Sequence, residues 1–209
     1  MAFDGITIAA MVSELNKNLS GGRINKIAQP ESDELLITGK GANGQKRLLL
    51  SASASLPLIY FTGKNRISPL TAPNFCMLLR KHIGSARITA IRQPGLERVV
   101  EFELEHLNEL GDVCHKVLIM ELMGKHSNII FCDDNMILDS IKHVSCNVSS
   151  VREVLPGRPY FIPHTQDKLD PLTISREDFM EKVCGRSNAV SKALYQTLTG
   201  FSPVMAQEL

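Results

Sequence analysis

Glu97-Arg98-Val99-Val100-Glu101-Phe102-Glu103-Leu104-Glu105 alternates apolar and acidic side chains along most of its length. Successive side chains of a strand point to opposite faces, so Val100, Phe102 and Leu104 turn toward a core while three glutamates face water. This is the pattern of a half-exposed antiparallel strand. Strand-like runs surround it at 86–93, 113–122, 127–132 and 136–141. Pro94-Gly95 joins it to the run before, and Asp133-Asp134-Asn135 joins the last two. Upstream lie four shorter β-like runs, 23–29, 34–39, 46–52 and 57–62, with the hairpin signal Asn43-Gly44 between the second and third. In 23–29, Ile24 and Lys26 alternate with Asn25 and Ile27 less cleanly than an ideal strand demands.

Helices frame these runs. Ile8, Met11, Val12, Leu15 and Leu19 recur at the spacing of one apolar helix face, and Gly21-Gly22 stops it. A second helix is expected over 73–83, with Thr71 as N-cap, Pro73 in the first turn, Phe75, Leu78, Leu79 and His82 on one side, and Gly84 at its end. The stretch 156–171 holds Pro156, Gly157, Pro159, Pro163 and Pro171 and reads as an extended connector. Beyond it the texture is helical: Ser175 caps 176–184, a weaker pattern covers 187–198, and Ser202-Pro203 starts a helix. That helix runs into Leu209 without a stop signal, which leads us to expect a longer polypeptide. The class is α+β.

Composition narrows function by exclusion. Lys and Arg (23) nearly cancel Asp and Glu (22) in 209 residues, so any polyanion-binding surface must come from local sorting of charge. The aromatic share is 5% with no Trp, which weighs against a face tiled with rings for stacking bases. No apolar run approaches ~20 residues, and Met1-Ala2-Phe3-Asp4-Gly5 lacks the basic start of a secretory signal. A membrane is therefore not an expected partner. The five cysteines are odd in number and show no C-x-x-C spacing. They read as small buried hydrophobes in a reducing compartment, where the sequons at Asn18 and Asn147 carry no meaning.

Motifs for catalysis fail on inspection. Gly39-Lys40-Gly41-Ala42-Asn43-Gly44 matches G-x-G-x-x-G literally, but it leads into the strand-like 46–50 rather than a helix N-terminus. Gly124-Lys125-His126-Ser127 lacks the glycine of a phosphate loop five residues earlier, where Ile119 stands. The six histidines are scattered, so no metal site and no cofactor is expected.

What survives is sorted charge. Between 76 and 98, Arg80, Lys81, Arg87, Arg92 and Arg98 stand against Glu97 alone, whereas the next strand and turn hold Glu101, Glu103, Glu105, Glu109 and Asp112. Ordinary ion pairs are one reading. The other is a cationic strip along a phosphate backbone, with Arg favoured for bidentate contacts. Two turns are chemically loaded: Gln93–Arg98 sets Glu97 beside Arg98, and 121–128 offers Lys125, His126 and Ser127 as exposed donors.

These turns complete a wider pattern. It begins with Met1-Ala2-Phe3-Asp4-Gly5, then Gly22-Arg23-Ile24-Asn25-Lys26-Ile27 with Gln29-Pro30, and Leu48-Leu49-Leu50-Ser51-Ala52. It continues through Pro73-Asn74-Phe75-Cys76 to His82, Gln93-Pro94-Gly95-Leu96-Glu97-Arg98 and Glu121-Leu122-Met123-Gly124-Lys125-His126-Ser127-Asn128. Leu138-Asp139-Ser140-Ile141-Lys142 and Leu155-Pro156-Gly157 close it. In this order the chain resembles the N-terminal domain of the NFACT family, which includes the quality-control factors RqcH and NEMF and the fibronectin-binding proteins FbpA and PavA. The resemblance covers about 1–165, and 166–209 is similar to the start of the family's next, helical domain, here truncated.

The resemblance implies the fold of the formamidopyrimidine-DNA glycosylase N-terminal domain: a two-sheet β-sandwich with flanking helices. It also implies a role on the large ribosomal subunit carrying a stalled peptidyl-tRNA, where members hold a tRNA and bacterial ones direct alanine-tail addition. The family's N-terminal Asp and Asp-Arg pair fall on Asp4 and Glu97-Arg98, with Glu97 one methylene longer than the usual Asp. On this view tRNA is met by Asp4, Arg80, Lys81, Arg92, Glu97, Arg98, Lys125 and His126 in one groove. The glycosylases use an N-terminal Pro amine followed by Glu, whereas this chain would offer Ala2 and no adjacent acid, so no enzyme activity is expected. The expected location is the cytoplasm. The alternative is a fibronectin-binding adhesin at the cell surface, which would require non-classical export.

Overall fold

The structure, a computed structural model, describes residues 3–163 and 167–209. The Ala2 amine and the boundary expected at 165/166 lie outside the described residues. Nine antiparallel strands form one continuous ladder in the order β4-β3-β2-β1-β5-β6-β7-β8-β9. The strands are β1 Arg23–Ala28, β2 Glu34–Gly41, β3 Gly44–Ser51, β4 Leu58–Phe61, β5 Arg87–Arg92, β6 Val99–Leu107, β7 Val113–Glu121, β8 Asn128–Asp133 and β9 Met136–Ser140. Helices α1 (Gly5–Leu19) and α2 (Asn74–Ile83) flank it. Among the described residues, no helix is long and apolar enough to cross a membrane.

The two halves of the expected sandwich, β1–β4 and β5–β9, meet at a narrow seam. Only Arg23 and Arg87 pair in register between β1 and β5, beside the backbone bonds Gly21 N to Ile88 O (2.8 Å), Ile24 N to Ala86 O (2.9 Å) and Ile88 N to Gly22 O (2.9 Å). Both seam strands carry a bulge, between Ile24 and Lys26 and between Ile88 and Ala90. A bulge adds one residue and bends its strand. It also explains the imperfect alternation in 23–29, because Ile24 and Ile27 can both face the core although they lie three positions apart. Ile88 and Ile91 do the same. The inner faces of the halves then share one core with α1 and α2: Leu19, Ile24, Ile37 and Leu48 line a cavity of about 10 Å³ with Ile88, Phe102, Leu104 and Leu118.

Where β1 diverges, a helix side chain replaces it. Asn16 of α1 donates from Nδ2 to Ile91 O (2.6 Å) and accepts from Ile91 N at Oδ1 (3.1 Å), closing the open edge of β5 as a strand would. The outer face of β7–β9 is covered by the chain beyond β9. Val154, Tyr160 and Ile162 pack on Val99, Ile119 and Ile130. The side chain of Arg152 pairs with the fully buried Glu121, which also accepts from Tyr160 Oη at 3.0 Å. The proline-rich connector is thus a packed strap rather than a spacer over its described part.

Local signals meet the sequence with three corrections. Asp134 and Asn135 both adopt positive φ, the geometry of a two-residue hairpin, and Gly44 does so at the start of β3. Pro73, not Thr71, occupies the N-cap of α2, and no side chain bonds to that end. Cys76 and Cys132 are buried, but Cys146 and Cys184 are exposed, against the expectation of five buried thiols. Ser127 is buried, its Oγ accepting from Met123 N (2.8 Å), and is not an exposed donor.

The C-terminal segments form a small helical cluster. Ser175 caps α3 (Arg176–Phe179), which runs on through a π-helical turn at Met180–Cys184. α4 (Val190–Thr197) and α5 (Pro203–Glu208, capped by Ser202) follow. Val183, Ala193 and Leu198 are its core. Replacing Asn16 by Ala strands both polar groups of Ile91, and we expect a loss of about 2 kcal/mol in unfolding free energy, measured by urea titration.

Candidate nucleic-acid interface

Asp4 is the N-cap of α1, its Oδ1 accepting from Thr7 N at 2.8 Å. Its Oδ2 accepts from Ser202 Oγ at 2.6 Å, and that same hydroxyl caps α5 through Met205 N (3.2 Å). Burial pushes the Asp4 carboxyl up, but the bonds from Ser202 and Thr7 outweigh it and hold the group below its ordinary value. One carboxylate thereby joins the first helix to the last.

The turn between β5 and β6 is pressed against this junction. Gln93 Nε2 donates to Gly5 O (2.8 Å) and to Glu97 O (2.9 Å), fixing the turn to the start of α1. Gly5 N donates to Gly200 O at 2.9 Å. A Cβ on Gly5 would stand 2.0 Å from Leu96 O, and one on Gly200 (φ +87) 2.5 Å from Leu96 Cβ. Three backbone segments therefore touch where only glycine fits.

Around this contact opens a cleft of about 360 Å³, lined by Asp4, Glu97, Arg98, Lys168, Phe201 and Ser202 among others. Arg98 is exposed, and among the described residues no hydrogen bond or ion pair engages its guanidinium. Burial and then the nearby Arg98 pull the Lys168 ammonium below its ordinary value, while Glu97 draws it back up. Two cations and the Glu97 carboxylate thus sit within electrostatic reach of each other at the cleft wall.

Of the residues expected from the sequence, the cleft gathers Asp4, Glu97 and Arg98. Arg80, Lys81, Arg92, Lys125 and His126 do not line it. Arg80 is exposed on α2, with Nε donating to Ile27 O at 2.8 Å, and Lys81 is exposed beside it. Arg92 pairs with Glu103 at 2.9 Å, and Arg87 stands opposite Glu105, so part of the cationic strip is matched by the acids of β6. Lys125 and His126 are exposed on a 3-10 turn at Gly124–His126. That turn is at the same end of the ladder as Arg98, since Leu122 N donates to Arg98 O (2.8 Å).

Sequence reasoning missed Lys168, which lay in the connector, and Phe201. Ser202 was legible as a cap but not as the partner of Asp4, a contact 198 residues apart in sequence. Among the described residues, no group of His, Cys, Asp and Glu could hold a metal ion.

The sequence and the fold have counterparts among known proteins. The family described as NFACT N-terminal and middle domains matches residues 4–209, and the chain belongs to it. It is 41% identical over 212 residues to the Rqc2 homolog RqcH of Bacillus subtilis, covering 100% of this chain and 37% of that protein. The Rqc2 homolog RqcH of Streptococcus suis is 37% identical over 100% of this chain and 38% of its own length. The human ribosome quality control complex subunit NEMF is 26% identical over 175 residues, which is 83% of this chain and 15% of NEMF. The chain thus spans less than two fifths of the bacterial relatives. Among solved structures, the N-terminal domain of the fibronectin-binding protein PavA from Streptococcus pneumoniae superposes with a TM-score of 0.91 at 36% identity, over 99% of this chain and 78% of that one. The fibrinogen binding protein from Staphylococcus aureus gives 0.86 at 32% identity, over 100% and 74%.

Asp4 sets a pH test. Its folded value lies below the unfolded value of 3.8, so its contribution is complete above that value and is lost as pH falls through the folded one. Asp4→Ala should cost about 1 kcal/mol at pH 7 as a lost N-cap, and wild type and variant should converge below pH 3.8 in denaturant titrations.

Proposed function

We propose that this chain is the RNA-binding, non-catalytic module of a ribosome-associated quality-control factor. It holds a tRNA on the obstructed large ribosomal subunit carrying peptidyl-tRNA and supports addition of an alanine tail to the stalled chain. Residues 1–165 form the module, 166–209 begin the next helical domain, and the setting is the cytoplasm. The observation that carries this reading is Arg98: an exposed guanidinium, unpaired among the described residues, held on a turn that Gln93 and Gly5 lock in place, with Lys168 beside it. Membership of the NFACT family and similarity to proteins named for ribosome quality control support it. RNA helices offer phosphates and 2′-hydroxyls across a shallow groove, which suits Arg and backbone contacts better than base reading. Arg80, Lys81, Arg92, Lys125 and His126 would act from outside the cleft, as further contacts on a ligand as large as tRNA.

The test uses the full-length protein carrying Arg98→Ala, with sequencing of the RNA that co-purifies across a salt series. We expect tRNA to be lost at least tenfold while the melting temperature stays at the wild-type value. Equal loss of both would make Arg98 structural. The solved relative named for fibronectin favours a second reading, an adhesin. It requires fibronectin binding that survives ribonuclease, with RNA retention absent. Glycosylase or lyase chemistry would leave a borohydride-trapped adduct on abasic DNA, and none is expected.

A further inference from the structure

The outer face of β1–β3 carries a second cationic surface that shares no residue with the cleft. The pleat that turns Ile37 and Leu48 into the core turns Thr38 and Arg47 outward, and the bulge at Asn25 brings Lys26 level with Thr38. Lys26, Thr38 and Arg47 form a row across three strands, about 10 Å wide at the usual strand spacing. Asn65 and Arg66, from the segment after β4, flank it. Two adjoining hollows, of about 220 Å³ and 420 Å³, share Gln45 and Arg47.

The charge there has one sign. Among the described residues, Lys26, Lys46, Arg47 and Arg66 are the charged residues lining the two hollows, and no carboxylate lines either. Arg66 leans on Glu34 at 3.5 Å. Arg47, half-buried, gives one N–H to Gly63 O (3.2 Å), which steadies the guanidinium, and among the described residues its other donors have no partner. Among the described residues, no ion pair engages Lys26 or Lys46. In a chain of nearly zero net charge, such a patch is a local concentration and not a share of a general excess.

We infer that the outer face of β1–β3 is a second surface for the phosphodiester backbone of RNA, engaged through Lys26 and Arg47. This rests on the RNA-binding reading and extends it to a face the cleft does not reach. The exposed neutral lining, Gln45 and Asn65, supplies amide donors of the kind that join Arg and Lys on phosphate oxygens. A protein partner would need pockets for apolar anchors. Here Ala28, Leu36 and Leu49 are already buried within the face. Phosphates need only donors on an open surface.

The experiment measures binding of labelled tRNA to the full-length protein by fluorescence anisotropy across a salt series, for wild type, Lys26→Glu and Lys26→Gln/Arg47→Gln. Each lost phosphate contact should reduce the slope of log K against log[salt] by about 0.7 to 0.9. The double variant should therefore lose about 1.5 from the slope. Lys26→Glu, on an exposed strand residue, should weaken binding severalfold and serves as the control should removal of the Arg47–Gly63 contact perturb folding. An unchanged slope in a variant that melts like wild type overturns the inference. Loss of polyglutamate binding with tRNA binding intact also overturns it, in favour of an acidic protein partner. RNA retention that depends on Arg98 but ignores these changes removes only this surface, whereas wild-type protein that retains no RNA removes the proposed function as well.

Discussion

The architecture depends on the seam between β1 and β5. One register pair and three flanking backbone bonds carry the ladder from one half of the protein to the other. Because both strands are bulged there, the sheet bends and brings its two apolar faces together. A regular seam would leave Ile27 and Ile91 pointing away from the core that Ile24 and Ile88 enter, since a one-residue shift exchanges faces. The bend also opens the edge of β5, which Asn16 closes. Thus α1 is held by backbone-like bonds as well as by packing, and its N-terminus with Asp4 is fixed against the β5–β6 turn.

Much of this was legible because it is local. The alternation over 97–105, the apolar stripe of 8–19 and the turn residues at 133–135 each report on neighbours within a few positions. The bulge in β1 was visible as a fault in alternation around Asn25, though its purpose was not. The Glu-rich face of β6 was also plain. Its partners were not, since cross-strand neighbours such as Arg92 and Glu103 are set by register, and register depends on the fold.

The candidate site was legible in part for the same reason. Asp4, Glu97 and Arg98 lie in short segments whose order resembles a known family, and they meet in one cleft. Lys168 and Phe201 lie in segments with no such signature and arrive there by long-range packing. The buried pair of Glu121 and Arg152 is a similar case: two charges in ordinary sequence surroundings, joined 31 residues apart beneath a strap that read as a linker. Burial of such a pair demands both partners, because either charge left alone would keep its full desolvation penalty.

The hydroxyl of Ser202 serves two helices at once, accepting from the first turn of α5 and donating to the carboxylate that caps α1. The helical segment is therefore wired to the cleft and does not merely adjoin it. Any swing of α5 about its first turn must either carry the Asp4 side chain along or break a short bond and free an acceptor beside Arg98. A domain hung on α5 would hold a lever on the cleft's negative pole, able to alter its charge balance without touching whatever is bound there.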